Sequence, residues 1–321
     1  MRYIIPSLGR PDLQITLKSL PPKLLKHVEL FVVKSEYKAY KSQDYASKVK
    51  AINVWPSHID CMPKKRKWLA LNAGSDFIMM DDDLGLYTWT GERYVKAIDA
   101  EAKFTKRFLE VLPGLYDRYY MVSCPMKYFA DTHVKANGLY KYDDVGYVFT
   151  GFAKGAANRV DFNKVFSFTD MSVPMQVLKR HQASVTFYGI CFAQSSAKAL
   201  STTGMSTYRT DFVKLDSALK MVQLFPGVVT GFRTTKVDNG GGISLEKRVS
   251  RLLDGTKPHH VEKSEAFVKQ FCAEHNLIKP PKIFQYPDDM PRDEIIRQFQ
   301  ANWDAVTFRG RTNESRRHRT T

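Results

Sequence analysis

Five short apolar runs alternate with stretches of helical period over the first 125 residues, and this alternation leaves few folds open. The runs are Arg2 to Pro6, Val28 to Val33, Ala51 to Val54, Asp76 to Met80 and Tyr119 to Cys124. Between them Leu13, Leu17 and Leu20 recur at helical spacing until Pro21-Pro22 stops the pattern. Glu36 to Ala46 can form a helix, Met62 to Ala73 reads as a basic amphipathic helix closed by Gly74, and Ile98 to Leu112 reads as a long one. Strands that alternate with helices imply right-handed crossovers and a mostly parallel α/β sheet with helices on both faces. The near-continuous apolarity of Phe77 to Met80 suits a strand covered on both sides. In such open sheets ligands bind at the carboxyl ends of the strands. The loop Pro6 to Arg10 and the turn Asp81 to Asp83 both fall there.

The second half is less regular. Asn137 to Ala157, rich in Gly, Tyr and Asp, reads as loops or irregular strands. Met171 to His181 reads as a helix and Ser184 to Ala193 as one buried strand. Three consecutive glycines, Gly240 to Gly242, suggest a flexible or anion-cradling loop. Lys263 to Glu274 and Asp293 to Asn302 read as two late helices. No internal repeat of 20 to 50 residues is visible, which disfavours a solenoid or propeller. A soft boundary is expected near residue 125, inside one folded unit.

Net charge narrows the partners. Lys and Arg number 49 against 33 Asp and Glu, a formal +16, and such a field attracts polyanions. Arg309, Arg311, Arg316, Arg317 and Arg319 fall within the last stretch of the chain, so residues 309–321 read either as a flexible phosphate-binding tail or as a solvated end. The longest apolar runs are far short of the roughly 20 residues a membrane span needs, and no membrane partner is expected. Met-Arg-Tyr-Ile-Ile-Pro at the start lacks the pattern of a signal peptide. Cys61, Cys124, Cys191 and Cys272 are scattered without a C-x-x-C pair, which suits a reducing cytoplasm.

Chemistry concentrates at Asp81-Asp82-Asp83. Three successive carboxylates repel one another, and their pKa values rise unless cations are present. A hard divalent cation, Mg²⁺ or Mn²⁺, would relieve this and could bridge the carboxylates to a diphosphate. A solvated acidic turn is the plainer reading of the same residues. Asp170, ahead of an apolar helix, could cap that helix or act as a base. Arg233 and Lys236 could neutralise a leaving diphosphate, and Asp238, His259 or His260 could add a metal ligand; each could equally be a surface group near a turn. The glycines lack a P-loop pattern.

Asp81-Asp82-Asp83 after Phe77-Ile78-Met79-Met80 resembles the D-x-D motif of GT-A glycosyltransferases, in which a metal holds the nucleotide-sugar diphosphate. Ile4-Ile5-Pro6-Ser7-Leu8-Gly9-Arg10-Pro11 resembles that fold's first strand and nucleotide-binding loop. Pro63 to Ala73 resembles the helix placed just before the D-x-D strand. The resemblance implies a GT-A-like, Rossmann-type sheet with an irregular acceptor-side region. Residues 1–125 would form the nucleotide-sugar-binding half, and 126–308 the acceptor-binding and catalytic half of the same unit. It further implies donor contacts from Pro6, Ser7, Leu8, Gly9, Arg10, Asp81, Asp82 and a basic residue, Arg66 or Lys67. Asp81 and Asp83 would bind the metal. Phe168-Thr169-Asp170-Met171 resembles the family's later acidic motif, making Asp170 the implied base, although Thr169-Asp170 departs from the usual Glu-Asp.

Charge and size, together with a likeness in layout to phage-type GT-A enzymes that glycosylate 5-hydroxymethylpyrimidines, point to DNA as acceptor and to a host cell's cytoplasm if the chain is phage-encoded. A base to be glycosylated should be flipped out and stacked on aromatics, for which Tyr140, Tyr142, Tyr147, Phe149 and Phe152 are candidates; core or loop packing is their ordinary alternative. Competing expectations are transfer to a protein or surface glycan, a nucleotidyltransferase on a related fold, and a nucleic-acid-binding protein without enzymatic activity.

Overall fold

Strand β1 (Arg2–Pro6) lies between β2 (Val28–Val32) and β4 (Phe77–Met80), parallel to both, and β3 (Ala51–Val54) extends the sheet beside β2. The computed structural model describes residues 1–146, 148–158, 160–194, 210–235 and 242–308. Beyond β4 the sheet continues through β9 (Phe149–Phe152), β7 (Met121–Ser123), β10 (Ser184–Phe187) and β8 (Tyr140–Tyr142), giving the order β3-β2-β1-β4-β9-β7-β10-β8. Only β9 and β8 run against the others, so the sheet is mostly parallel and the fold is α/β and Rossmann-like.

Residues on β4 alternate between two apolar clusters. Phe77 and Met79 join Ile4, Phe31, Met121 and the helix Thr169–His181 on one face. Ile78 and Met80 join Ile5, Leu30, Val122 and the helical segment around Phe104 and Phe108 on the other. Both faces are therefore covered, and the period-2 geometry of a strand explains why the run shows no polar position. Each cluster takes residues from both sides of residue 125, so that position is no boundary of the core.

Residues 137–157 are more regular than their composition suggests. They contain β8 and the central antiparallel strand β9. Gly151 on β9 pairs with Ile78 on one side and Val122 on the other. A side chain there would run into the Tyr116 hydroxyl and the Phe77 carbonyl, so close packing rather than a turn demands glycine. Ser184 to Ala193 is two strands, not one. The chain turns at Tyr188-Gly189, and β11 (Ile190–Gln194) joins β5 (Leu84–Trp89) and β6 (Tyr94–Lys96) in a second, three-stranded sheet.

The helix Met62–Asn72 falls where expected and ends at Gly74 with φ +72°, but it is not amphipathic. Lys64, Lys65 and Arg66 are all buried. The late helices run longer than expected, Pro258–Glu274 and Arg292–Asp304. The first packs through Phe267 and Phe271 on Phe232 of a hairpin, β12 (Val229–Thr235) and β13 (Gly242–Lys247). The second docks on the helix Asp211–Leu224. Among the described residues no helix is long and apolar enough to cross a membrane.

Candidate functional site at the carboxyl ends of β1 and β4

The acidic turn is pinned from below. Thr16 donates its hydroxyl to the Asp81 carbonyl (2.6 Å), its N–H reaches the Asp82 carbonyl (3.1 Å), and its hydroxyl oxygen accepts from Leu84 N (2.9 Å). With the backbone fixed, the three carboxylates meet different surroundings. Asp82 turns into the protein, where Ser7 Oγ donates to it and Arg10 Nη1 lies at 2.7 Å. Ser7 Oγ also meets Tyr40 Oη (2.7 Å) and accepts from Gln14 Nε2 (2.8 Å), while Arg10 N donates to Tyr40 Oη (3.2 Å). Burial pushes the Tyr40 phenol up to about 12, so it stays a neutral member of this network. Asp82 thus ties the loop Ser7–Arg10 to the turn. Within that loop Pro6, Ser7 and Arg10 are buried, whereas Leu8 is half-buried and Gly9 is exposed.

Asp81 and Asp83 differ. Oδ1 of each is shielded from solvent and has no hydrogen-bond partner. Oδ2 of Asp83 sees Gln194 Nε2 at 3.5 Å and Arg10 Nη1 at 3.6 Å, both long. Burial lifts the Asp81 carboxyl to about 7; the Arg66 charge opposes this, and the charges of Asp83, Asp82 and Asp170 add to it. Asp83 is raised as well, by burial and then by Asp82, with Arg10 and Gln194 opposing. Native structures satisfy most buried polar atoms. Two orphaned carboxylate oxygens on either side of a fully engaged one are the kind of exception that a bound cation would resolve.

Asp170 lies close enough to this group for its charge to raise the Asp81 carboxyl. It lies in the first turn of the helix Thr169–His181, whose N-cap is Phe168, so Asp170 is not the cap. Phe168 has φ +61°, a left-handed conformation that costs a non-glycine residue roughly 1–2 kcal/mol. Its carbonyl accepts Ser172 N at 2.7 Å and so starts the helix. Arg66 Nη1 donates to Thr169 Oγ1, and Arg66, Phe77, Thr150, Phe152, Thr169 and Asp170 line one narrow crevice.

Of the two cations expected near the turn, Arg66 is the one whose charge reaches Asp81. Lys67 points elsewhere: its Nζ is 2.7 and 2.8 Å from the Asp288 carboxylate, which also accepts from Asn163. Arg233 is on the outer hairpin, largely exposed and paired with Glu246 at 2.6 Å. Phe149 is wholly buried between β4 and β7 and cannot stack a base. Phe152 packs on Phe77 and reaches the crevice. Tyr140 and Tyr142 stack on the edge strand β8, four strand spacings or about 19 Å from β4. Tyr147, Lys236, Asp238 and the tail from Arg309 lie outside the described residues.

Two lysines near the site gave no distinct signal in the sequence. Lys65 is buried with its Nζ 5.6 Å from the centre of the Trp55 ring. Burial lowers it to about 8, against the charges of Cys61, Glu36, Asp82 and Asp60. Lys247 on β13 is lowered by burial and raised by Asp144 and Asp170, which brings the hairpin to the Asp170 side. A run Lys64-Lys65-Arg66-Lys67 gives each cation the same appearance; only the helix packing separates them.

Among the described residues no three His, Cys, Asp or Glu side chains converge to cage an ion. The two orphaned carboxylates fit a different design, in which Mg²⁺ or Mn²⁺ takes one or two protein carboxylates and fills its shell with water and substrate phosphate.

No protein-family model matches the chain, and no curated protein does. Among solved structures, mannose-6-phosphate isomerase from Helicobacter pylori matches with a TM-score of 0.29 at 10% identity, covering 79% of this chain and 89% of that one. A likeness that low carries no argument about fold or chemistry.

Proposed function

We propose that this chain is a metal-dependent glycosyltransferase that takes a sugar from a nucleotide-sugar donor and places it on a hydroxymethylated pyrimidine base in DNA. One observation carries the reading: Asp81 and Asp83 each hold a buried carboxylate oxygen without a partner, at the carboxyl end of β4, around an Asp82 that is fully engaged. Asp81 and Asp83 would hold Mn²⁺ or Mg²⁺, which when bound supplies positive charge against the diphosphate that leaves.

The chain's own residues cover the remaining tasks. The loop Ser7–Arg10, fixed through Asp82, gives the nucleotide a rigid edge to lie on, which lowers the cost of ordering it. Arg66 faces the departing phosphates from the helix side and keeps Asp81 more acidic than burial alone would leave it. Asp170 is not used as a cap and lies across the crevice, so a carboxylate oxygen there can accept the acceptor hydroxyl's proton. The +16 charge supports a polyanionic acceptor.

The test is a screen of purified protein with Mn²⁺, a panel of nucleotide sugars, and DNA carrying cytosine, 5-hydroxymethylcytosine or 5-hydroxymethyluracil, with digested nucleosides read by mass. A hexose or pentose mass gain on a hydroxymethylated base, with release of nucleoside diphosphate, is the expected result. Donor hydrolysis without any gain on DNA would remove the DNA acceptor and leave the transferase. Release of pyrophosphate instead would indicate a nucleotidyltransferase. DNA affinity should also fall steeply as salt rises.

A further inference from the structure

Among the described residues, Tyr128 and Phe129 form the most exposed adjoining aromatic pair, and Tyr140 and Tyr142 on β8 form a second, less exposed one. Met126, Tyr128 and Phe129 fall within four positions and are 36%, 83% and 64% exposed. They open the helix Lys127–Asn137, and the Tyr128 and Phe129 rings meet edge to face at 4.9 Å. Isolated exposed apolar residues need no explanation, but an adjoining group does.

Its position is set by the sheet. Phe149 on β9 pairs with Met80 of β4 on one side, and its carbonyl accepts Cys124 N on the other at 3.0 Å. Asp81 and Pro125 therefore leave the sheet at the same edge, two strand spacings or about 10 Å apart. The second sheet gives the same answer. Phe192 N donates to the Pro125 carbonyl (3.1 Å) and Phe192 bridges Met126; two residues further along β11, Gln194 Nε2 is 3.5 Å from Asp83 Oδ2. Two residues of strand span about 7 Å. Lys127 Nζ lies 4.6 Å from the centre of the Tyr87 ring, which fixes the start of this helix against β5. The exposed pair thus stands on the rim of the acidic site, whereas Tyr140 and Tyr142 stand at the far edge of the sheet.

We infer that Tyr128 and Phe129 are the element that engages the DNA acceptor, stacking on or wedging between bases as the target base leaves the duplex for the site. This rests on the DNA reading above and adds to it the residues that open the duplex. Bases present a π-face whatever their sequence, which makes two exposed rings on a strongly basic chain suited to them. A wedge between base steps also offsets the cost of unstacking that base flipping requires.

The experiment uses the full chain and a duplex with 2-aminopurine next to a 5-hydroxymethylated base, so that unstacking raises fluorescence. Wild-type protein should bind and raise the signal. Tyr128→Ala with Phe129→Ala should lose the rise and weaken binding by on the order of tenfold per ring removed. Tyr128→Trp with Phe129→Trp should retain both. Each ring is largely exposed, so the melting curve of the alanine variant should match wild type. Ile278→Ala, an exposed apolar position elsewhere, serves as control and should change nothing. An alanine variant that binds and unstacks like wild type overturns the inference while the DNA acceptor stands. Self-association that the alanine variant abolishes with DNA affinity intact also overturns it, assigning the pair to a protein contact. If wild type transfers no sugar to any hydroxymethylated DNA, the acceptor reading fails first and takes this inference with it.

Discussion

Asp216 and Asp81 are both carboxylates withdrawn from water, and their surroundings differ in kind. One oxygen of Asp216 receives Lys220 Nζ at 2.6 Å and the other receives Trp303 Nε1 at 2.7 Å. Lys220 also lies 3.5 Å from the centre of the Phe299 ring, so both charges are enclosed and satisfied. Burial pushes Asp216 up and Lys220 down, and the ion pair and the indole hydrogen bond oppose it. That group joins the helix Arg292–Asp304 to the helix Asp211–Leu224 and leaves no oxygen over. At the acidic turn the backbone is equally fixed, yet two oxygens remain over. The first arrangement is satisfied within the fold; the second holds unfavourable charge that a proton or a bound cation would relieve.

The comparison makes its largest prediction at the turn. Asp81→Asn combined with Asp83→Asn should reduce sugar transfer by at least about 10³-fold. The same variant should melt no lower than wild type in metal-free buffer, since it removes two buried charges that repel. Initial rates and circular-dichroism melts measure the two halves. A variant that unfolds would assign the turn to the scaffold instead.

Asp216 should behave the other way. Asp216→Ala leaves Lys220 charged and enclosed, and the expected cost is about 3–5 kcal/mol in urea unfolding. Replacing both partners, Asp216→Leu with Lys220→Met, should recover most of it, because the uncompensated charge is gone. If the double replacement is as unstable as the single one, packing rather than charge governs that interface.

A smaller effect links the turn to its cation. Mn²⁺ at a hundred times its Kd should add about 2.7 kcal/mol to unfolding stability, and the Asp81→Asn, Asp83→Asn variant should lose that gain. Without cation, pH reports the same site. Asp81 is held near 7 in the folded protein against an ordinary 3.8, so the folded state keeps its proton longer than the unfolded state. Stability from this group is greatest below about pH 4, falls as pH rises toward 7, and is level above that. Melts between pH 4 and 8 in chelator should show that slope, and Asp81→Asn should flatten it.

The sequence was legible where one element is one run of residues. β1 to β4 and the helix Met62–Asn72 appear within a residue or two of their expected bounds, because strands buried on both faces and a Gly-terminated helix leave plain local marks. The turn Asp81–Asp83 was legible for the same reason. The distal half was not. β9 is four residues long with a glycine that close packing requires, and β10 and β11 read as one strand because both are buried and a two-residue turn separates them. Side-chain direction was least legible. Phe149 looked available for stacking but lies inside the sheet, and Tyr128 and Phe129 passed unnoticed because exposure is a property of the assembled fold.

Arg66 and Lys67 show how fine that limit is, and they supply the smallest effect. Successive helix residues point about 100° apart, so neighbours in one basic run can serve different surfaces. Lys67 ends on Asp288, a partly exposed pair whose loss in Lys67→Ala should cost about 0–1 kcal/mol and leave Mn²⁺ affinity unchanged. Arg66 ends on Thr169 and in the field of Asp81, where its charge lowers the carboxyl that burial raises. Arg66→Ala should therefore move the titration of Asp81 further up. Mn²⁺ binding, which needs that carboxylate ionised, should then begin at higher pH. Mn²⁺ titrations of the two variants across pH 6 to 8 measure the contrast. Equal shifts in both would mean that the cations act through overall charge, and unequal ones that the helix aims a single guanidinium at the site.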